Sequence, residues 1–461
     1  MSLNLAERIA RWAYELNYDQ LPADVVEEAK KRVLDGFAVS LGAFYETPPS
    51  IARSYAAYTT SSKYPVSIWG TLLKSTPDHA VFANGCAIRY FDFNDTYLSK
   101  EALHPSDNIP AIMAAAEIVG ASGRKVIEGI VAAYEVAGRL ADAYSIRGKG
   151  WDHVTYIAVS SAVGAGKVLG LNVKQLTNAI NIALTTNNAL RQTRAGELSM
   201  WKGCAAANSA RNGVFAAILA WKGMTGPSPV FEGEFGFFNV ALNDDKFDLP
   251  VMGGENGASF KMLETSIKYW PVEYHAMSAV DAALKLRRKI PGFDPSKIKK
   301  ILVKTFDVAY KIIVKDPEKW DPKTRETADH SMPYIIAAAL IDGHVWLDTF
   351  SNERILAQDV RELLSKMTVE VDEEHDKIYP RGIKNTVIIE TDDGSIYEES
   401  STYPPGHFMN KLDRKGVEEK FSKLVKDKLD PIDAEKVIYR VWDLENIEDM
   451  SLLLRYLSVE K

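Results

Sequence analysis

The sequence predicts a mainly α-helical protein with a large all-helical domain and a smaller α+β lid domain. Between Leu3 and about Gly257, apolar residues recur with helical spacing, and several segments are rich in alanine. Near Ala258, runs that alternate polar and apolar residues begin, which is typical of strands. Helical patterns return after residue 404. We therefore assign residues 1–266 and 405–461 to the helical domain and residues 267–404 to the lid domain.

The first long helix has clear signals at both ends. It opens with Leu21-Pro22-Ala23-Asp24, where proline stands in the first turn and the aspartate lies at the positive end of the helix dipole. Apolar residues recur at helical spacing from Val25 to Leu41, and Gly42 ends the helix. Similar patterns predict further helices over residues 111–119, 126–144, 158–169, 176–185 and 205–221.

In the lid domain, alternation with a period of two predicts strands over residues 299–306 and 367–371. Two further strands, 386–390 and 395–399, flank Thr391-Asp392-Asp393-Gly394, which predicts a hairpin. Helical patterns at 276–288, 331–341 and 357–366 lie between the strands. After Pro404-Pro405-Gly406 the chain is helical from Val417 onward, and we expect these last helices to pack on the first domain.

Composition excludes several classes of function. The 461 residues are 46% hydrophobic, enough for a large core, and carry 55 basic and 62 acidic side chains for a net charge of −7. Without a long basic run, nucleic acid and anionic membranes are poor partners. The polar, amphipathic start does not resemble a signal peptide, and no apolar run reaches the length of a membrane span. We expect a cytoplasmic protein.

Cysteine usage narrows the chemistry further. Only Cys86 and Cys204 occur, far apart in sequence. An iron–sulfur cluster held by three or four thiolates and a disulfide framework are therefore both excluded. The simplest interpretation is a pair of buried free thiols.

The segment Asp92-Phe93-Asn94-Asp95-Thr96 places two acids and a hydroxyl between apolar runs. On a helix, Asp92, Asp95 and Thr96 would share one face, because they are three and four residues apart. Buried polar groups must be hydrogen-bonded or they reduce stability, so a core rarely concentrates them. We interpret this segment as the wall of an active site.

Eight residues on, His104-Pro105-Ser106-Asp107-Asn108 extends this polar segment. Asp107 or Asn108 can cap a helix that has Pro110 in its first turn. The alternative is therefore that this run serves only as a helix start. Capping does not explain the acids and the threonine upstream, so a functional role for His104 is favoured.

Two more polar clusters follow in the helical domain. His153, in Gly150-Trp151-Asp152-His153, precedes an apolar helix, where a lone histidine is more often a satisfied core residue. Arg194 comes before Lys202, which lies at the start of the predicted helix 205–221. The helix dipole disfavours a cation there by roughly 0.3–1 kcal/mol, and a carboxylate ligand would relieve the repulsion. A lysine that points into water is an equally good interpretation.

The last two clusters lie in the lid domain. Lys268 stands at the domain boundary with Glu273 and His275 just beyond, and ligands often bind at such boundaries. Tyr334, in Asp329-His330-Ser331-Met332-Pro333-Tyr334, falls in the first turn of a predicted helix. A packed aromatic residue is the alternative for this tyrosine.

Motifs for bound cofactors do not occur. Gly164-Ala165-Gly166-Lys167 lacks the glycine spacing of a phosphate loop, and Val168 replaces its Ser/Thr. No dinucleotide-binding glycine pattern and no zinc-ligand spacing is present. The predicted chemistry runs on side chains alone, without metal or cofactor. Lysine, arginine and histidine would hold a small polyanion while an Asp or His moves a proton, which favours lyases and isomerases acting on carboxylates.

These clusters resemble the MmgE/PrpD superfamily over nearly the whole chain. The opening Leu21-Pro22-Ala23-Asp24-Val25-Val26 and the segments 92–96 and 104–108 are similar to family signatures, in the form typical of its 2-methylcitrate dehydratases. The remaining matches are Met200-Trp201-Lys202-Gly203-Cys204-Ala205-Ala206, Phe231-Glu232-Gly233 with Gly236-Phe237-Phe238, Trp270-Pro271-Val272-Glu273-Tyr274-His275, and Asp329-His330-Ser331-Met332-Pro333-Tyr334.

The resemblance implies a homodimer that dehydrates the tricarboxylate 2-methylcitrate to 2-methyl-cis-aconitate without a cofactor, as in propionate breakdown, at a site between a helical body and a lid. Lys202, Lys268 and His153 would clamp the carboxylates, and Asp92 and His104 would be the acid and base in an order left open. Tyr334 would supply or relay a proton. Thr96, Asp95, Arg194 and His275 complete the predicted substrate-binding residues.

Three alternatives remain open at this stage. Relatives in the superfamily decarboxylate cis-aconitate or epimerise an amino-dicarboxylate. Two departures argue against the decarboxylase: Asp152 precedes His153 where many relatives have Gly-Phe-His, and Glu273 stands where decarboxylases can carry a histidine. The third alternative is a non-catalytic helical scaffold whose polar clusters are caps and core groups.

Overall fold

The computed structural model describes residues 3–61, 63–187, 189–196 and 198–459. The described residues form two compact units. The helical unit falls within residues 1–196, 200–265 and 413–461, and the mixed unit within 197–199 and 266–412. The mainly α fold class predicted from the sequence is confirmed. No helix in these described ranges is long and apolar enough to cross a membrane.

In the ranges that the structure describes, the helical unit begins with ten α-helices and a short two-stranded ribbon. The predicted first long helix is confirmed, and it begins at Ala23 after Pro22 and ends at Gly42. The helices are α1 (Leu5–Glu15), α2 (Ala23–Gly42), α3 (Thr47–Ala56), α4 (Pro77–Arg89), α5 (Ile109–Val119), α6 (Gly123–Ala143), α7 (Val154–Val168), α8 (Val173–Thr186), α9 (Ala205–Trp221) and α10 (Phe237–Leu242), and the antiparallel strands are β1 (Val66–Ser67) and β2 (Lys74–Ser75).

Small residues let α9 pack closely against α4 and α7. A Cβ atom on Gly213 of α9 would lie 2.6 Å from the Ser161 side chain of α7. A Cβ on Gly85 of α4 would lie 2.8 Å from the Ala207 side chain of α9. Both separations are below van der Waals contact, so these positions require glycine. The close packing brings the C-terminal end of α4 near the N-terminal ends of α7 and α9. These three helix ends carry the candidate site.

The two cysteines meet at the contact of α4 with α9. Cys86 lies on α4 and Cys204 immediately precedes α9, and both are buried and free in one apolar cluster. Burial raises the pKa of the Cys86 thiol, and a hydrogen bond to Cys204 raises it further. The prediction of two buried free thiols is confirmed.

The segment Gly164-Ala165-Gly166-Lys167 lies inside α7. Lys167 Nζ donates a hydrogen bond of 3.0 Å to the carbonyl oxygen of Tyr14 and another to that of Leu16. These contacts agree with a structural role and not with a phosphate loop.

The mixed unit has a four-stranded sheet with the strand order β4-β3-β5-β6. Strands β3 and β4 are parallel, whereas β3–β5 and β5–β6 are antiparallel, and the predicted hairpin over residues 391–394 is confirmed. The elements are α11 (Met277–Lys289), β3 (Ile298–Thr305), α12 (Asp307–Ile313), α13 (Arg325–Ala328), α14 (Met332–Asp342), α15 (Asn352–Ile355), α16 (Gln358–Leu364), β4 (Met367–Val371), α17 (Glu373–Asp376), β5 (Asn385–Thr391) and β6 (Ile396–Ser401).

The chain then returns to the helical unit. Its last helices are α18 (Arg414–Val425), α19 (Pro431–Trp442) and α20 (Ser451–Leu454). Helix α18 packs on α2, where Lys420 Nζ lies 2.6 Å from the buried Asp35 carboxylate. Lys420 also reaches the loop after α4, a contact that positions the candidate site.

Candidate active site

The segment 92–96 forms a loop, so the expectation that Asp92, Asp95 and Thr96 share a helix face is wrong. Helix α4 ends at Arg89, and Asp92 adopts a left-handed conformation with φ of 51°. Tertiary hydrogen bonds hold the loop in place of helical ones. Lys420 Nζ donates to the Phe93 carbonyl oxygen at 2.7 Å, and Asn94 Nδ2 donates to Asp107 Oδ1 at 3.1 Å.

Asn108 occupies the N-cap position of α5, as the sequence predicted, but its side chain makes no capping hydrogen bond. Asn108 Oδ1 instead accepts hydrogen bonds from the Ser160 and Ser161 hydroxyls of α7, at 2.8 and 2.6 Å. Asp107 faces the loop, and its Oδ2 has no hydrogen-bond partner in the described part of the chain. Burial raises the pKa of Asp107 to about 7.

The centre of the site is the carboxylate of Asp92, which forms ion pairs with the buried side chains of Arg89 and Lys202. Arg89 Nη1 donates to Asp92 Oδ1 at 2.6 Å. Lys202 Nζ lies 3.4 Å from Asp92 Oδ2. Lys202 belongs to a 3-10 turn, Met200–Gly203, just before α9, and is only 4% exposed. The alternative of a lysine that points into water is therefore excluded.

His104 is held on the other side of Arg89. Its Nδ1 lies 2.7 Å from the Asp95 carbonyl oxygen and 3.2 Å from Thr96 Oγ1. Its Nε2 lies 3.0 Å from Arg89 Nη2 and 4.0 Å from Asp92 Oδ1. A carbonyl oxygen only accepts and a guanidinium only donates, so this network assigns the proton to Nδ1 and a lone pair to Nε2.

His153 lies next to His104, with 5.7 Å between the ring centroids. Its Nδ1 is 3.0 Å from Asp152 Oδ1, whereas its Nε2 has no hydrogen-bond partner among the described residues. Burial lowers the pKa of His153 to about 3, although Asp152 opposes this shift. The side chain is therefore neutral in the free protein, and its role in holding a substrate carboxylate stays a prediction.

Arg194 is fixed behind His153. Its Nε lies 3.0 Å from Asp152 Oδ2, and its Nη1 donates to the Lys202 carbonyl oxygen at 3.4 Å. Burial alone would raise the pKa of Asp152, but Arg194 and His153 hold it below its usual value. Arg194 Nη2 is buried and has no hydrogen-bond partner in the described ranges.

Asp95 has a structural environment instead of the expected substrate-binding one. Its Oδ2 accepts from the Tyr134 hydroxyl at 2.7 Å and lies 3.5 Å from Arg32 Nε. Its Oδ1 accepts from the Ser106 backbone at 2.9 Å, and the residue is fully buried. These contacts engage both carboxylate oxygens, so Asp95 holds the His104 segment against the helical core.

The mixed unit gathers a second polar cluster from residues 268–275 and 329–330. Glu273 Oε1 lies 2.8 Å from His275 Nδ1, and the Glu273 backbone donates to the Asp329 carbonyl oxygen at 2.8 Å. Burial would raise the pKa of Glu273, but His275, His330 and Lys268 lower it to about 2. Lys268 is buried, and His275 Nε2 has no hydrogen-bond partner in the described ranges.

Tyr334 lies in the first turn of α14, as predicted, but its hydroxyl donates to the Thr349 carbonyl oxygen at 2.5 Å. The residue is fully buried, and burial raises the pKa of its hydroxyl. A proton-relay role is contradicted by this engaged, weakly acidic hydroxyl. The alternative of a packed aromatic residue describes Tyr334 better.

Sequence reasoning missed Arg89 and gave Asp107 only a capping role. Arg89 is the only arginine of α4 and directly follows the apolar residues Cys86, Ala87 and Ile88, and a cation at the end of such a run was the signal that the sequence offered. The pKa of Asp107, close to neutrality, is the kind of perturbation found at functional sites. In the described ranges, no group of three or more His, Cys, Asp or Glu residues could hold a metal ion.

The depressed pKa of His153 predicts a specific pH dependence of stability. Its folded value near 3 lies below its ordinary 6.5, so the stabilisation is present above pH 6.5 and is lost as the pH falls toward 3. Between pH 6.5 and 5, the wild type should therefore lose up to about 1.4 kcal/mol per pH unit relative to His153→Gln. Urea unfolding of both proteins at pH 7 and 5 measures the difference, with the exposed His344→Gln as control. Parallel pH profiles for wild type and His153→Gln contradict the prediction.

Buried cations and histidines around one carboxylate are residue types suited to proton transfer on an anionic molecule. The chain belongs to the MmgE/PrpD family. Residues 7–250 match the MmgE/PrpD N-terminal domain, and residues 270–444 match the MmgE/PrpD C-terminal domain.

Relatives within this family carry two different activities in their names. The chain is 28% identical to 2-methylcitrate dehydratase of Escherichia coli O157:H7, over 87% of this chain and 86% of the relative. It is 30% identical to 2-methylcitrate dehydratase of Salmonella typhimurium, over 75% of this chain and 74% of the relative. It is also 26% identical to cis-aconitate decarboxylase of Mus musculus, over 99% of this chain and 94% of the relative.

Proposed function

We propose that the protein dehydrates 2-methylcitrate to 2-methyl-cis-aconitate without a cofactor. The observation that carries the proposal is the convergence of Arg89 and Lys202 on Asp92, beside the lone pair of His104. The similarity to 2-methylcitrate dehydratases over most of the chain supports the choice of substrate.

The reaction needs concentrated positive charge. Removing a proton from the carbon beside a carboxylate creates a dianionic transition state, which fixed cations stabilise. We assign the buried cations Lys202 and Arg89, with Arg194 beside them, to bind substrate carboxylates. His153 acts in this proposal as a neutral hydrogen-bonding group, and Thr96 orients His104 through its contact with Nδ1.

We assign the base role to His104. Its Nδ1 proton is directed at the Asp95 carbonyl, so Nε2 can take the carbon-bound proton once a substrate carboxylate competes for Arg89. Asp92, paired with two cations, orients Arg89 and Lys202. We assign the ammonium of Lys202 as the proton donor to the departing hydroxide, which then leaves as water. Lys268 and His275 stay predicted substrate-binding residues, and a homodimer stays the predicted assembly.

Turnover of 2-methylcitrate is the direct test. The purified, chelator-treated protein should raise the ultraviolet absorbance of a conjugated alkene when 2-methylcitrate is added. His104→Gln, which keeps a polar side chain of similar size but no base, should lower kcat by about 10²–10⁴-fold. The exposed His344→Gln is the matched control. Absence of alkene formation from 2-methylcitrate, with turnover of another acid, contradicts the proposal.

The second candidate is decarboxylation of cis-aconitate, which the similarity to the mouse enzyme favours. Glu273 argues against it, because an ion-paired carboxylate stands where decarboxylase relatives can carry a histidine. Release of carbon dioxide from cis-aconitate, without alkene formation from 2-methylcitrate, would select this candidate. Epimerisation of an amino-dicarboxylate would appear as loss of optical rotation without either product.

A non-catalytic scaffold makes a different prediction. In a scaffold, Lys202→Ala and His104→Ala would leave unchanged any rise in melting temperature caused by tricarboxylates. The proposed function requires both variants to reduce that rise, because each removes a group placed in the binding site.

A further inference from the structure

Asp107 differs from every other buried aspartate in the described ranges, because it has no ion pair. The others are paired with a lysine, an arginine or a histidine: Asp35 with Lys420, Asp92 with Arg89, Asp95 with Arg32, Asp152 with Arg194, Asp281 with Lys285 and Asp329 with His330. Around Asp107, no such nitrogen of the described residues lies within 4.0 Å of the carboxylate. An unpaired charge is costly to remove from water, so burial at this position favours the neutral carboxylic acid.

The hydrogen bonds of Asp107 also suit a protonated carboxyl. Its Oδ1 accepts from the neutral amide of Asn94 at 3.1 Å, and its Oδ2 has no partner among the described residues. An ionised carboxylate accepts through both oxygens, and here only one of them has a donor. The pKa of Asp107, which burial raises to about 7, agrees with these contacts. Because Oδ2 is closed to solvent, Asp107 can act on a ligand through its charge and not through contact.

The protonation of Asp107 decides the net charge of the candidate active site. In the described ranges, the site combines more cations than carboxylates, namely Arg89, Lys202 and Arg194 with Asp92 and Asp152. With Asp107 neutral, this cluster has one net positive charge. An ionised Asp107 would cancel that charge and leave the cluster without a net attraction for a polyanion.

The groups around Asp107 belong to several elements of the helical unit. The charges that act on its carboxyl are Arg89 of α4, Asp92 and Asp95 of the loop after α4, and Arg194 of the 3-10 turn Arg191–Arg194. The other titratable groups nearby are His104 of the same turn, whose Nδ1 lies against the Asp95 carbonyl oxygen, the neutral His153 before α7, and Tyr134 of α6 and Arg32 of α2, which bind Asp95. Arginine keeps its charge at every accessible pH, so it does not offset ionisation of Asp107.

We propose that Asp107 is a charge-regulating residue of the active site, which is neutral when the cationic cluster binds a tricarboxylate and weakens that binding when it ionises. This inference rests on the proposed function, because it takes a tricarboxylate as the ligand of the cluster. Ligand binding and protonation are then linked reciprocally, so the bound anion favours the proton on Asp107. Affinity should therefore fall as the pH rises through about 7.

Calorimetric titration with tricarballylate, a tricarboxylate without a hydroxyl, tests the inference at pH 6 and pH 8.5. The wild type should bind at least about fivefold more weakly at the higher pH. Asp107→Asn keeps the size and the neutral state of the protonated acid. At pH 8.5 it should therefore bind at least about fivefold more tightly than the wild type. The exposed Asp427→Asn is the matched control and should keep the wild-type pH dependence.

A gain of affinity is a result that a purely structural role does not produce, because lost packing would weaken binding. Asp107→Ser also removes the ionisable group and should show the same gain, so it serves as the second variant if Asp107→Asn does not fold. Titrations at pH 7.5 in two buffers of different ionisation enthalpy measure proton uptake on binding. This uptake should be smaller in both variants than in the wild type.

Infrared difference spectra of the wild type and the Asp107 variants separate this inference from the proposed function. A band of a protonated carboxyl should be present in the wild type at pH 6 and absent at pH 8.5. This band without any binding of tricarballylate would contradict the proposed function and support a neutral Asp107. Absence of the band at pH 6 overturns the inference. Folded variants that bind tricarballylate no more tightly than the wild type at pH 8.5 also overturn it.

Discussion

Lys202→Met is expected to lower kcat/KM for 2-methylcitrate by at least about 100-fold. The side chain is 4% exposed and its ammonium lies 3.4 Å from Asp92 Oδ2, within the cluster that also holds Arg89 and His104. Methionine keeps the length of the side chain but removes its charge and donors. The lost cation can then neither bind a substrate carboxylate nor stabilise the dianion that forms on proton removal. Steady-state rates of alkene formation measure the effect.

Two controls separate catalysis from folding in this experiment. Lys174→Met removes a charge from an exposed position of α8 and should leave kcat/KM unchanged. Lys202→Arg restores a cation and should recover part of the substrate binding lost in Lys202→Met. Circular dichroism should give the wild-type helix content for all three variants. A folded Lys202→Met protein with the wild-type kcat/KM would show that Lys202 has no role in substrate binding or catalysis.

Replacing Arg89 by lysine is expected to lower kcat by about 10²-fold, even though the charge is kept. The guanidinium donates at once to Asp92 Oδ1, at 2.6 Å, and contacts His104 Nε2, at 3.0 Å. Lysine has a point charge on a flexible stem and cannot reproduce this planar fork. His104 would then lose the donor that opposes protonation at Nε2. The acid limb of the kcat/KM profile should therefore move to higher pH.

The pH profile is the decisive readout for Arg89, because a purely structural arginine would change stability and leave the profile in place. Arg124→Lys is the matched control, since Arg124 is an exposed arginine near the start of α6. An Arg89→Lys protein with wild-type kcat and an unshifted acid limb would contradict the role that we give to this residue.

The sequence predicted helices and strands well where periodicity and end signals agree. Helix α2 begins after Pro22 and ends at Gly42, and the hairpin forms around Thr391-Asp392-Asp393-Gly394. These features depend on local preferences, which a sequence displays directly. The burial of Lys202 did not follow from the sequence, in which a lysine in water was an equally good interpretation, and the structure decides it.

The conformation of the 92–96 loop was beyond sequence reasoning. Its shape depends on Lys420, more than 300 residues away, and on Asn94, whose amide bonds to Asp107. The polar spacing resembled a helix face, but these tertiary hydrogen bonds and the left-handed Asp92 replaced the helix. The role of Arg89 could not be predicted for the same reason. Its partners Asp92 and His104 are brought next to it only by the folded conformation of the loop.

Polar side chains that bond to the backbone or the core also misled the sequence-based assignment. Tyr334 and Asp95 occur in the expected motifs, yet their polar atoms are engaged by Thr349 and by Tyr134 with Ser106. A motif gives the residue type but not the direction of the side chain. The structure supplies that direction. It indicates that Arg89 and Asp107, instead of Tyr334 and Asp95, belong to the candidate site.

A crystal structure of the protein bound to tricarballylate tests the central claim most directly. This tricarboxylate lacks the hydroxyl that leaves in the proposed reaction, so it should bind without turning over. We predict a carboxylate oxygen within about 3 Å of Lys202 Nζ and the carbon chain beside His104 Nε2. A ligand bound elsewhere, with no carboxylate oxygen near Lys202 Nζ, would contradict the proposal that this cluster receives the substrate.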